Sequence, residues 1–214
     1  MTDNTLKFTV REAHPADFEA VIDSMADAFA ADPVMSMAVG GAHKTQRLKE
    51  LFRFQIETAY GPHGAIDLAE TDDGKILGAA LWIGPEAQKG SVLRDIRSLP
   101  EYAKILGGSF IRGIVTELRL LAARPKFDHW YLYTIGVHED ARSHGVGGEL
   151  IKFRKERLNN TPAYLEASTL RSAALYQRMG FVELGEFKGG KPAVGMWLPP
   201  KKSQSDLKLA PKQP

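Results

Sequence analysis

The sequence predicts one mixed α/β domain with a sheet covered by helices on both faces. Three observations carry this. Short alternating or continuously apolar segments recur between longer stretches of helical periodicity, in the order strand, helices, hairpin, helices, strand, helix, strand, helix, strands. The 214 residues suffice for one domain with a substantial core. A composition of 43% apolar and 25% charged residues is that of a globular protein.

The elements follow in order. Residues 6–12, LKFTVRE, alternate as a first strand. His14-Pro15-Ala16-Asp17 marks a helix start, and Phe18, Val21, Ile22, Met25 and Phe29 then fall on one helical face. This helix should stop near Asp32-Pro33, because a residue before proline is pushed out of the helical region. PVMSMAVGG is apolar without period and reads as a loop. A second helix is predicted from about Lys44 to Tyr60, with Leu48, Leu51, Phe52 and Ile56 inward, and Gly61-Pro62-His63-Gly64 should break the chain. AIDLAET and KILGAALWIG flank Asp72-Asp73-Gly74 as a hairpin. From Pro85 to Phe127 the pattern is helical, weakened by Gly107, Gly108 and Gly113. HWYLYTIGV (129–137) reads as a buried strand, followed by a glycine turn and a helix over about 145–159. A strand AYLEA, a helix around 172–179 and strands near FVELGEF and AVGMWL complete the domain, placed at 1–199. Residues 200–214 are polar and proline-rich and read as a disordered basic tail.

Composition narrows the chemistry. With no cysteine there is no disulfide, thiolate metal site or cysteine nucleophile, and nothing suggests another metal site. The 28 basic and 26 acidic residues become 24 and 25 once the tail is set aside, since it holds Lys201, Lys202, Lys208 and Lys212 against Asp206. A body of mixed sign offers no electrostatic footprint for nucleic acid. No apolar run approaches a membrane span, and no basic flank with an apolar stretch opens the chain, so a cytoplasmic protein, monomeric or homodimeric, is the expectation.

The glycine turn ARSHGVGGEL (141–150) lacks both the G-x-G-x-x-G and the Walker A pattern. By itself it could be a flexible connection. Its place between a buried strand and a helix start favours an anion site, because the first helical amides lack internal partners and glycines admit a phosphate close to them.

Here the sequence resembles a known superfamily. Arg142-Ser143-His144-Gly145-Val146-Gly147 resembles the pyrophosphate loop of the GNAT acyl-CoA-dependent N-acyltransferases. YLEASTLRSAALYQRMGF resembles their second block, a strand and a helix ending in Leu-Tyr-x-Arg-x-Gly-Phe. VREAHPADF resembles their opening, so the likeness runs from about residue 8 to 199, and it looks most like the puromycin N-acetyltransferase branch. The resemblance implies a mixed sheet of about seven strands whose middle strands splay apart. It implies acetyl-CoA as acyl donor, with Ile135, Gly136 and Val137 pairing with the pantetheine arm. Residues Arg142, Ser143, His144, Gly145, Val146, Gly147 and Gly148 would hold the diphosphate. Ser172 stands where close relatives often carry asparagine, a shorter contact to the cofactor. An amide near Ile135 would polarise the thioester carbonyl.

Tyr176 matches the family's general acid for the departing thiolate. For the base the candidates are Glu166, Tyr131, Tyr133 and His129, with Glu166 ranked first and His129 read as a surface or capping residue. The acceptor amine is expected against Phe29, Asp32, Met35 and Met37, with Tyr133 also at the site and with the stretch 85–127 as a second source of specificity. The leading reading is direct acetyl transfer to a primary amine of a small molecule. The alternatives are a peptide or protein N-acetyltransferase and a non-catalytic acyl-CoA-binding module.

Overall fold

A computed structural model describes residues 6–32, 35, 39, 43–89, 91–186 and 194–201. Met37, most of the tail and the ends of the segment expected as a loop lie outside them.

Strand β1 (Thr9–Glu12) leads through a 3-10 turn (Pro15–Asp17) into α1 (Phe18–Phe29). Asp17 accepts from the His14 amide, so the residues read as a helix start do begin one. Within the expected loop, the Val39 amide donates to Met35 O at 2.8 Å. Helix α2 (Lys44–Gln55) runs through a π turn (Ile56–Tyr60) into a last helical turn (Gly61–His63). The break expected over Gly61–Gly64 comes at its last residue, Gly64, the first extended one. Pro62 falls in the opening positions of its short helix, where its missing N–H costs nothing.

Strands β2 (Gly64–Glu70) and β3 (Ile76–Ile83) form the hairpin, turned by Gly74 at φ 82°. Then follow α3 (Pro85–Lys89), α4 (Ser91–Leu106) and, after a 3-10 turn at the paired glycines, α5 (Phe110–Ala123). The second half is β4 (Trp130–Val137), α6 (Val146–Lys155), β5 (Ala163–Ala167), α7 (Leu170–Arg178), β6 (Val182–Glu186) and β7 (Val194–Leu198). All seven strands share one sheet in the order β1-β2-β3-β4-β5-β7-β6, with β4 and β5 the parallel pair. One face packs under α1, α2 and α4, around Ile22, Met25, Phe52 and Ile105. The other packs under α6 and α7, around Val146, Leu150, Ile151 and Tyr176. Among the described residues no helix is long and apolar enough to cross a membrane.

Two details position the centre. Pairing of β3 with β4 shifts register between Leu81 and Trp82, which face Thr134 and Leu132 and leave Tyr133 as the extra residue of a bulge. The bulge reverses which face the side chains meet. Leu132 packs with the α6–α7 layer before it and Ile135 and Val137 do so after it, against strict alternation. Second, a buried ion pair joins α6 to the sheet: Arg154 donates from Nε to Asp67 Oδ2 at 2.9 Å and from Nη2 to Asp67 Oδ1. Asp67 is fully buried, and Arg154 also reaches Glu12 and lies over the Trp130 ring.

Breaking such a pair on one side leaves a charge buried without its partner. Arg154→Met is expected to destabilise the fold by about 3–5 kcal/mol in chemical denaturation, and adding Asp67→Leu should recover most of the loss. If the single variant unfolds at the wild-type midpoint, the pair does not hold α6 to the sheet.

Candidate active site

The parallel ladder between β4 and β5 is short. Trp130 faces Ala163, Tyr131 faces Tyr164 and Leu132 faces Leu165, and there the pairing ends. Beyond it, β4 stays bonded on its far side to β3 as far as Val137, and β5 stays bonded to β7 as far as Ala167. Both strands thus remain extended while the edges facing each other part. Ile135, Gly136 and Val137 lie on the parted stretch of β4, whose edge toward β5 has no strand partner there, although the Val137 carbonyl accepts from Arg142 Nε at 3.2 Å.

At the foot of this gap lies the glycine turn. Ser143 (φ 69°) and Gly145 (φ 84°) both adopt left-handed backbone, and α6 begins immediately after. The first helical bond of α6 from this turn is Glu149 N–H to Gly145 O, so the amides of Val146, Gly147 and Gly148 precede the internal ladder. Packing does not explain the glycines. A Cβ on Gly145 would meet nothing within 4 Å, and on Gly147 or Gly148 it would make only ordinary contacts with Leu175, Val137 and Met179. Bare backbone at a helix start with room to spare fits an approaching diphosphate. The Arg142 side chain turns inward, from Nη2 to Ala28 O at 2.9 Å and from Nε to Val137 O, and Arg171 donates to Ser143 Oγ. These bonds tie the turn to α1, β4 and α7. His144 is exposed beside them.

Gly136 has another reason to be glycine. A Cβ there would meet Phe29 at 2.9 Å and the Met25 sulfur at 3.0 Å, so α1 packs directly on the parted strand. Phe29 is therefore a packing residue, with its ring 5.7 Å from that of Phe52. Asp32 is engaged locally as well, accepting from the Met35 amide at 2.8 Å. The Ser172 hydroxyl forms the capping box of α7 with Thr169, donating to Thr169 O and accepting from the Thr169 amide.

Tyr176 lies on α7, buried against the Phe181 ring at 5.9 Å. The end of this helix sets its position. Phe181 N–H donates to Tyr176 O and Gly180 N–H to Gln177 O, with Gly180 at φ 92°. This is the Schellman closure, and it gives the Leu-Tyr…Gly-Phe pattern a physical meaning. Burial pushes the Tyr176 phenol above its ordinary pKa, keeping it protonated.

On the opposite face of the sheet, Glu166 stands one residue past the last β4–β5 pair, its side chain 8% exposed. Its Oε2 accepts from the Tyr131 hydroxyl at 2.8 Å, while Oε1 is buried with no hydrogen-bond partner. Burial raises its pKa to about 7, against the pull of the Tyr131 hydroxyl and of Arg124. The Tyr131 ring is stacked 6.2 Å from Tyr164 and edge-on to Tyr133, and Tyr133 accepts from Gln55 Nε2 at 2.8 Å. Burial holds the Tyr60, Tyr131 and Tyr133 phenols well above their usual range, which leaves the carboxylate as the group able to take a proton. His129, expected at the surface, is buried in the core. Its Nδ1 pairs with Phe127 O and its ring meets Tyr164 and Trp197 edge-on. Desolvation lowers its pKa, so it stays neutral.

The structure thus brings Glu166, Tyr131 and Tyr133 together on one face of the gap and sets Tyr176 on the other. The sequence reading missed Arg124, whose guanidinium lies 3.8 Å over the Tyr131 ring, and Gln55, which holds Tyr133. No local pattern distinguishes either one, since both reach the site from distant elements.

Comparison with known proteins agrees with this geometry. Residues 108–183 match the model of the acetyltransferase (GNAT) domain. An uncharacterized N-acetyltransferase of Schizosaccharomyces pombe is 28% identical over 180 residues, 78% of this chain and 71% of its own. A mosquito arylalkylamine N-acetyltransferase like 5b shares the fold, with a TM-score of 0.60 at 15% identity, covering 89% of this chain and 98% of that one. The structure of a histone acetyltransferase HPA2 and related acetyltransferase from Corynebacterium glutamicum superimposes with a TM-score of 0.73 at 35% identity, over 92% of this chain and 98% of its own. With that identity over nearly the whole of both chains, and a parted sheet above a glycine-opened helix, the protein belongs to the GNAT family of acetyltransferases.

Proposed function

We propose that the protein is an acetyl-CoA-dependent N-acetyltransferase that acts on the primary amine of a small molecule by direct attack in a ternary complex. The observation that carries this is the parted β4–β5 ladder, with a buried phenol on one face and a buried carboxyl group on the other. Acetyl-CoA, when bound, supplies the thioester and a thiolate leaving group. Ile135, Gly136 and Val137 would pair with its extended amide arm, and the backbone of residues 142–148 would hold its diphosphate. Gly145, Gly147 and Gly148 leave room for that approach.

The protein's own groups then divide the proton work. Glu166 Oε1 lacks a donor, so it receives the proton of an entering ammonium, and a pKa of about 7 makes it a stronger base than an ordinary carboxylate. The Tyr176 hydroxyl, kept protonated by burial, donates on the opposite face, to the departing sulfur. Acid and base on separate faces need not exchange roles or share a proton. The absence of cysteine favours direct transfer over an acyl-enzyme on sulfur.

Peptide or protein acceptors and a non-catalytic acyl-CoA-binding role are the competing readings. Thiol release from acetyl-CoA with a mixed panel of small amines and peptides separates them. Release stimulated by small amines supports the proposal, release by peptides alone replaces the acceptor, and binding without release replaces the enzyme.

Three substitutions test the machinery. Gly147→Ala should leave stability unchanged or raise it by up to about 1 kcal/mol, as alanine does in a helix, while acetyl-CoA binding measured by calorimetry weakens at least tenfold. Loss of stability instead would make this glycine a packing residue. Tyr176→Phe should keep acetyl-CoA affinity while kcat falls at least tenfold, and an unchanged kcat removes the tyrosine from the reaction. For Glu166 the sign follows from its role: the base is active when ionised, so kcat/KM should rise with pH and level off above about 7. In Glu166→Gln that limb should vanish along with most of the rate. A limb that persists at the same pH assigns the base to another group.

A further inference from the structure

Arg124 is placed unlike Arg11 and Arg154. Arg11 closes bidentate pairs with Asp17 and Glu70, at 2.7 and 2.9 Å to each carboxylate. Arg154 grips Asp67 with two nitrogens. Arg124, which is 14% exposed, faces Glu166 but stops short of it, with Nε 3.9 Å from Oε1. Both of these atoms are buried, and neither has a hydrogen-bond partner. A structural ion pair would have closed.

What the guanidinium does contact is a seat for a cation. It lies on the Tyr131 ring, with Tyr133 edge-on to that ring and Tyr60 5.2 Å from Tyr133. Aromatic faces, Glu166 Oε1 and the unpartnered Gln55 Oε1 are the groups that receive an alkylammonium. Glu166 is itself nearly enclosed, so an acceptor reaches it only if something moves. Tyr131, Tyr164 and Glu166 belong to the sheet. Arg124 ends α5, a helix of fourteen residues none of which is buried, with Ile111, Val115, Leu118 and Leu121 exposed along it. Besides the Tyr131 ring, the hold on its guanidinium is one bond from Nη2 to Glu117 Oε1 at 2.8 Å, and Glu117 lies on the same helix. The group that blocks the base is carried at the end of a helix that buries none of its residues.

We propose that Arg124 is an internal stand-in for the acceptor's positive charge, and that acceptors enter as ammonium ions which displace it from the face of Tyr131. The exchange conserves charge beside Glu166: one cation leaves and one arrives, so the carboxylate is never left alone in a poorly solvated place. A neutral acceptor makes no such exchange, which selects for amines that carry their proton to the site. The inference rests on Glu166 as the base of acetyl transfer, and it assigns to the stretch 85–127 a gate on that base.

Binding of butylammonium and of methylguanidinium chloride, at millimolar concentrations and without acetyl-CoA, can be followed by NMR of the intact protein. Arg124→Ala empties the seat and should tighten both cations at least fivefold. Glu117→Gln loosens the tether but also removes a negative charge that acts on Tyr60, Tyr131, Tyr133 and Glu166, so it should tighten them by a smaller factor. In thiol-release assays Arg124→Ala should lower KM for a small amine more than it changes kcat, and methylguanidinium should compete with the amine more strongly than in wild type. Weaker or equal cation binding by both variants overturns the proposal, because Arg124 would then be part of the acceptor's seat or of the scaffold. Tighter cation binding without thiol release would sink acetyl transfer and leave the seat standing. Thiol release with unchanged cation binding would do the reverse.

Discussion

When two parallel strands stop pairing, each keeps a row of amides and carbonyls that must find another partner. In this protein that happens after Leu132 and Leu165, and the rest of the centre depends on it. Parting is possible because each strand is secured on its other side, β4 by β3 and β5 by β7. The extra residue at Tyr133 and the close packing of α1 on Gly136 hold β4 in its course beyond the split. The opening is therefore a stable feature of a bonded sheet, with free backbone facing inward, and an extended amide chain is the complement of such an edge.

Around that opening the protein separates two kinds of polar group. The ion pairs and caps that hold the fold are closed: Arg154 with Asp67, Arg11 with Asp17 and Glu70, Thr169 with Ser172. Those at the gap are not. Glu166 Oε1, Arg124 Nε and Gln55 Oε1 are buried without partners, a costly state in a core and a useful one in a site that must bind and release.

Much of this was legible in the sequence, for local reasons. The hairpin came from Asp-Asp-Gly, the end of α7 from Gly180-Phe181, and the start of α1 from His14 to Asp17, all settled by a few neighbouring dihedrals and bonds. Tyr176 and Glu166 were named because they stand in or beside recognisable frames. Readings that needed an environment fared differently. His129 lies at the end of a strand yet is covered by Tyr164 and Trp197, and Asp32 is occupied by the Met35 amide. The glycine of Gly136 answers to α1 as well as to the gap.

The sequence by itself determined the order of elements and the glycine-opened start of α6, because each follows from short-range backbone preferences, while its resemblance to the family singled out Tyr176 and Glu166 as candidates. Only the tertiary structure decided that Tyr176 and Glu166 lie on opposite faces of a split in the sheet, that Glu166 is desolvated, and that Arg124 sits beside it. Burial and charge proximity are sums over neighbours. Those groups, Gln55, Glu117, Arg124, Tyr131 and Glu166, come from two helices and two strands along more than half of the chain and meet only when the sheet and its helices close around them.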